Sequence, residues 1–240
     1  MKKHIPNTIT CCNLISGCIA TLFASQANYS MALAFIIIGA VFDFFDGFAA
    51  RLLHVSSPVG KELDSLADDI TFGFAPATIV FSMLRATLPT CGCTWITYVP
   101  YAAFIIAAFS ALRLAKFNLD ERQTTSFIGL PTPANALFWG ALSMTLDSYD
   151  ALTATNTTLF AVLLVGIVLS SWLLVAEIPM FALKFKSYGW KGNELRFSFI
   201  IISALLLAVL KWGGFSLIIV LYILTSIISN AFGTKVAKDK

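Results

Sequence analysis

Val41-Phe-Asp43-Phe-Phe-Asp46-Gly47-Phe-Ala-Ala50-Arg51, followed after a short break by Gly60-Lys-Glu-Leu-Asp64-Ser-Leu-Ala-Asp68-Asp69, decides how this chain is read. Asp43 and Asp46 are three residues apart, and Asp64 and Asp68 four apart, so each pair shares one face of a helix. Gly47 and Ala50 lie on the face of the first pair. The link between the helices, with Ser56, Ser57 and Pro58, is short enough to force them antiparallel. The two carboxylate pairs then meet near one end of the helices. Asp69 and Glu62 point off those faces and read as solvated or ion-paired groups.

The surroundings make these acids unusual. The chain has 240 residues, 58% of them hydrophobic and 12% charged. An ordinary soluble domain has about 25% charged residues. The mean hydropathy is +0.83. Long apolar runs such as 32–40 and 159–175, without the alternation of barrel strands, predict membrane helices. The fold class is therefore all-α, a polytopic integral membrane bundle. Eight segments are expected near 8–26, 30–54, 61–86, 96–117, 132–147, 157–183, 196–210 and 213–232. They form a single membrane-embedded domain over 1–240.

Fourteen of the sixteen lysines and arginines fall on the side that holds both termini; Arg85 and Lys211 are on the other. The positive-inside rule makes the termini and the carboxylate end cytoplasmic, in a cell inner membrane. The net charge of +3 gives no reason to expect nucleic acid. Cys91 and Cys93 have neither zinc spacing nor a histidine cluster around them. Asn28-Tyr29-Ser30 and Asn156-Thr157-Thr158 match glycosylation sequons and read as chance matches at the membrane surface.

Carboxylates crowded in a low dielectric need protons or a cation. An all-oxygen set suits Mg²⁺ or Mn²⁺, with Ca²⁺ as another occupant, rather than zinc. Arg51 offers a planar fork for phosphate. Intramembrane carboxylates also mark ion paths, so a cation transporter is the rival from another class.

The string Asp43-x2-Asp46-Gly47-x2-Ala50-Arg51-x8-Gly60-x3-Asp64-x3-Asp68 resembles the signature of the CDP-alcohol phosphotransferases. Ile5-Pro-Asn7-Thr8, Leu63 to Asp68 with Thr71-Phe-Gly-Phe-Ala-Pro76, Arg113-Leu-Ala-Lys-Phe-Asn118, Gly129-Leu-Pro-Thr-Pro133 and Ile178 to Lys186 are similar to the phosphatidylserine synthase branch. The likeness covers about residues 5–190 and leaves 191–240 as additional membrane helices. It implies a six-helix catalytic core, a homodimer, and transfer of a phosphatidyl group from CDP-diacylglycerol to L-serine with release of CMP. It implies two divalent ions on Asp43, Asp46, Asp64 and Asp68, with Asp68 also the general base. Asn7, Thr8, Asp46, Gly47, Ala50, Arg51 and Gly60 would hold the CDP-lipid. The serine carboxylate needs a cation or amide, for which Arg113, Asn118 and Lys184 are the candidates. Within the family the competing acceptors are glycerol phosphate, inositol phosphate and choline.

Overall fold

The computed structural model describes residues 4–90, 93–120, 127–153, 155–180, 189 and 193–238. Helix α1 (His4–Ser25) is followed by α2 (Tyr29–Leu52) and α3 (Pro58–Asp68). A π-helical segment (Asp69–Phe74) then joins α3 to α4 (Ala75–Ala86) as one rod. A 3₁₀ stretch (Thr94–Phe104) leads into α5 (Ile105–Leu119). After β1 (Phe127–Ile128) come α6 (Thr132–Ser148), α7 (Thr157–Val175), β2 (Pro179–Met180), α8 (Glu194–Leu210) and α9 (Gly213–Lys238). The described residues thus form eight helical rods. Five of the helical stretches are long and apolar enough to cross a membrane.

The ends of the helices are set by side chains. Asn28 Oδ1 accepts from the Met31 N–H (3.2 Å), Ser57 Oγ from Gly60 (3.0 Å), and Asn156 Oδ1 from Leu159 (3.0 Å). Each satisfies an amide that the first helical turn leaves unpaired. The asparagines of both sequons therefore serve as helix caps.

The helices are apolar on two sides. On α7, Phe160, Leu163, Ile167 and Leu174 are buried while Val162, Val165, Val168, Leu169 and Trp172 are exposed. A helix apolar all round belongs in lipid. Trp139 of α6 sits under α7, where its indole N–H donates to Ser170 Oγ (3.3 Å).

Helix α7 is shorter than the expected 157–183. It stops at Val175, where the segment just before α6 meets its last turn and the chain that follows it. The Leu130 N–H donates to the Leu173 carbonyl (2.9 Å) and the Gly129 N–H to the Ile178 carbonyl (2.9 Å). Gly129 has φ +77, and a Cβ there would lie 2.7 Å from the Leu174 carbonyl oxygen. Residues 127–128 pair antiparallel with 179–180 beside it. The π segment also has a local cause. Pro76 has no N–H to offer the carbonyl of Phe72, so the normal ladder is broken at this level and the turn widens.

Helix α1 packs against α2, α3, the π segment and α4. It comes close at Gly17, where a Cβ would lie 2.8 Å from Thr71 Cα and 2.9 Å from Thr71 N. Gly39 of α2 faces the same residue from the other side, and a Cβ there would meet Asn13 Oδ1 at 2.9 Å. Thr71 is fully buried, and its hydroxyl donates to the Asn13 carbonyl (3.1 Å). Overpacking of this kind destabilises by about 1–3 kcal/mol. Gly17→Ala should lower the melting temperature of the detergent-solubilised protein. Gly47→Ala, whose Cβ would meet only Arg51 Nη1 at 3.8 Å, should leave it unchanged. Differential scanning fluorimetry checks both.

Candidate metal and nucleotide site

The four aspartates arrive at two levels. Asp43 stands nine residues before Leu52, roughly 14 Å along the helix axis, and Asp68 ten residues after Pro58, roughly 15 Å. Asp46 and Asp64 each lie six residues from those same helix ends, roughly 9 Å. Antiparallel helices therefore place Asp43 beside Asp68 and Asp46 beside Asp64.

Asp43, Asp64 and Asp68 each bring a carboxylate oxygen within 4.8 Å of the other two. All three are half-buried, and Asp64 Oδ1 is a buried atom without a hydrogen-bond partner among the described residues. Three converging hard oxygens with an unsatisfied buried acceptor fit a divalent cation. Asp46, on the level of Asp64, is not one of the three. It is buried and accepts a hydrogen bond from the Thr10 hydroxyl.

Helix α1 supplies what the aspartate spacing could not reveal. Thr10 holds Asp46, and one turn on, Asn13 Nδ2 donates to Asp68 Oδ1 (3.0 Å). Asn13 is wholly buried, fixed through its own carbonyl by Thr71, and its Oδ1 has no partner among the described residues. Neither residue belongs to the aspartate string, and in sequence each is one more small polar residue in an apolar run. A threonine and an asparagine three residues apart, on the helix that precedes an acidic pair, are the only sequence trace they leave.

Above the trio lies a cavity of about 260 Å³, lined by Pro6, Asn7, Thr10, Asp46, Gly47, Ala50, Val55, Ser56, Ser57, Gly60, Lys61 and Asp64. Gly47 borders open space, and Gly60 lets Asn7 approach, since a Cβ there would sit 3.1 Å from Asn7 Oδ1. Of the residues expected around a CDP-lipid, Asn7, Asp46, Gly47, Ala50 and Gly60 line this space. Arg51 is exposed beside Gly47. Thr8 is exposed, and its hydroxyl is spent on the His4 carbonyl (2.8 Å). Thr10, one turn inward, lines the cavity instead.

The acceptor candidates separate. Arg113 is 7% exposed, donates to Thr132 Oγ1 (3.4 Å), and lies over the Phe117 ring. Its Nε has no partner among the described residues, and Asp68 is within its electrostatic reach. Asn118 instead ties α5 to α3, donating to Ser65 Oγ (2.7 Å) and accepting from Lys61 Nζ (3.0 Å). Lys184 lies outside the described residues, as does Cys91. Asp69, read from the sequence as solvated or ion-paired, has a buried Oδ1 with no partner among the described residues. The π segment turns it toward α5, next to Ser110.

Comparison with known proteins agrees with this geometry. The family model for CDP-alcohol phosphatidyltransferase matches residues 3–185. A protein of Bacillus subtilis (strain 168) named CDP-diacylglycerol–serine O-phosphatidyltransferase is 38% identical over 145 residues, 60% of this chain and 78% of that protein. A protein of the same name from Mycobacterium leprae (strain TN) is 32% identical over 184 residues, 73% of this chain and 57% of that protein. One from Helicobacter pylori (strain ATCC 700392 / 26695) is 32% identical over 229 residues, 95% of this chain and 91% of that protein. With three carboxylates converging inside a bundle of apolar helices, and a family match that covers α1 through β2, the chain belongs to the CDP-alcohol phosphatidyltransferase family.

Proposed function

We propose that this protein transfers the phosphatidyl group of CDP-diacylglycerol to the hydroxyl of L-serine, giving phosphatidylserine and CMP. One observation carries the choice of acceptor. Arg113 is a buried guanidinium within reach of Asp68 and without a carboxylate bonded to it among the described residues. A buried cation of this kind calls for an anion. An acceptor bearing a carboxylate supplies one while its hydroxyl lies next to Asp68. The names of the relatives point the same way.

Asp43, Asp46, Asp64 and Asp68 would hold the divalent metal, Mg²⁺ or Mn²⁺ and two per site. Bound there, it would supply positive charge to the pyrophosphate and to the leaving phosphate. Asn7, Gly47, Ala50 and Gly60 shape the space for the cytidine diphosphate, with Arg51 at its edge. Phe44, Phe45 and Phe48 of α2 are exposed on the outer side of the same helix, where acyl chains would lie in lipid.

The serine hydroxyl attacks the phosphorus that bears the diacylglycerol. Asp68, held by Asn13, accepts the hydroxyl proton as the new O–P bond forms. The bond from that phosphorus to the bridging oxygen breaks, and CMP leaves with the electron pair. The lysine and arginine asymmetry supports a cytoplasmic side for this site and both termini.

An acceptor panel tests the proposal. Purified protein with CDP-diacylglycerol and Mn²⁺ should release CMP with serine. It should do so far more slowly with glycerol phosphate, inositol phosphate or choline. A preference for any of these would remove serine as the acceptor. Asp68→Asn should lower turnover by about 10²- to 10⁴-fold, the usual range for a lost general base. Chelation by EDTA should abolish turnover and Mn²⁺ restore it. Calorimetric titration should show Mn²⁺ binding weakened in Asp64→Asn. Arg113→Ala should raise the KM for serine while leaving that for CDP-diacylglycerol near its original value.

A further inference from the structure

The end of the bundle away from the carboxylates has a cavity of its own. Thr132, bonded to Arg113, opens α6 at the carboxylate end. Ser148 closes the helix sixteen residues later, roughly 24 Å along the axis. That distance approaches the apolar thickness of a bilayer, about 30 Å. At this far end α6 meets the turn that joins α8 to α9, and a cavity of about 610 Å³ lies between them. Two contacts hold its walls together. Ser216 Oγ of α9 donates to the Phe138 carbonyl of α6 (3.1 Å). Gly213 lets the turn press on α6, since a Cβ there would lie 2.9 Å from Thr145 Oγ1.

The lining is apolar on one part and rich in donors on another. Leu142, Leu210 and Leu217 supply the apolar part. Tyr149, Lys211 and Trp212 bring an O–H, an ammonium and an indole N–H, and none of these donors has a hydrogen-bond partner among the described residues. Among the described residues no carboxylate lines the space. Asp147 is within electrostatic reach of Tyr29 on α2, and neither it nor Asp150 belongs to the lining. Lys211 also stands in a strained backbone position. Its φ is +51 and its ψ −124, a conformation that suits glycine. Gly213 and Gly214 follow almost at once, yet the residue at the strained position is the lysine. Strain retained in this way is characteristic of side chains that clamp a ligand.

We propose that this cavity binds one phospholipid with an anionic headgroup. Lys211 holds the phosphate, Tyr149 and Trp212 surround the headgroup, and the acyl chains run along the leucines toward the apolar middle of the bundle. Charge complementarity selects the ligand. A cation and two neutral donors, with no acid beside them in the lining, offer an anion all of its partners. A zwitterionic lipid also has a phosphate, but Lys211 repels its ammonium. Lysine, tyrosine and tryptophan at the end of a helical bundle also match the level of lipid headgroups. Helices α8 and α9 lie beyond the residues matched by the family model, so the lipid pins this added hairpin to the catalytic bundle.

The test titrates delipidated protein in a neutral detergent with phosphatidylglycerol and, separately, with phosphatidylcholine of the same acyl chains. Native mass spectrometry counts the lipid bound. The wild type should hold one phosphatidylglycerol about 5- to 10-fold more tightly than phosphatidylcholine, as expected for one lysine at a membrane surface aided by neutral donors. Lys211→Gln should erase that preference, and Lys211→Arg, which retains the charge, should keep most of it. Glycerol phosphate, which has the charge but no acyl chains, should not bind at the same concentrations. A wild type that binds both lipids equally would overturn the assignment, a result that needs no variant to fold. Glycerol phosphate bound as tightly as the lipid would overturn it too. So would a preference that survives Lys211→Gln but is lost in Arg51→Gln, since the anionic lipid would then sit in the nucleotide cavity.

Discussion

Like charges held together in an apolar bundle are the constraint on which this structure turns. Three carboxylate oxygens lie within 4.8 Å of one another among helices that are otherwise apolar. Two unit charges at that distance repel by about 3.5 kcal/mol, taking an effective dielectric of about 20. The helices hold the acids in place all the same, because the forces that set the helix positions act elsewhere. Gly17 and Gly39 close on Thr71, Trp139 fills the space beneath α7, and α1 is packed along most of its length. A site assembled in this way is ready for a cation and a pyrophosphate before either arrives.

Helix α1 mediates between the acidic helices. Thr10 orients Asp46 and Asn13 orients Asp68, while Asn7 reaches the backbone at Gly60. Donors placed on two of the four carboxylates give those acids distinct surroundings. Asp68 is the one joined both to the carboxylate trio and, through its charge, to Arg113. The proposed role of Asp68 as proton acceptor rests on that double connection. The glycines divide by role as well. Gly17, Gly39 and Gly73 permit helices and side chains to approach, whereas Gly47 keeps space open for a ligand.

Much of this was legible in the sequence. Helical spacing and a short connection bring Asp43, Asp46, Asp64 and Asp68 to one end of the bundle, and the apolar runs give eight rods at nearly their observed bounds. The parts that escaped depend on contacts between distant segments. The contributions of Thr10 and Asn13 come from the packing of α1, which no local pattern reports. At the end of α7 the Leu173 carbonyl accepts from the Leu130 amide, a partner from a distant segment that apolar composition alone cannot show. Asp69 looked peripheral under uniform α-helical spacing. The π segment that begins at that residue, ahead of Pro76, turns it toward Ser110.

The central claim is that the serine hydroxyl oxygen becomes the bridging oxygen of the new phosphodiester. L-serine labelled with ¹⁸O in its hydroxyl, reacted with unlabelled CDP-diacylglycerol, puts this to a direct test by mass spectrometry of both products. The account predicts that phosphatidylserine retains the label and that CMP contains none. Label in CMP, or phosphatidylserine without label, would contradict attack by the acceptor hydroxyl on the lipid-bearing phosphorus.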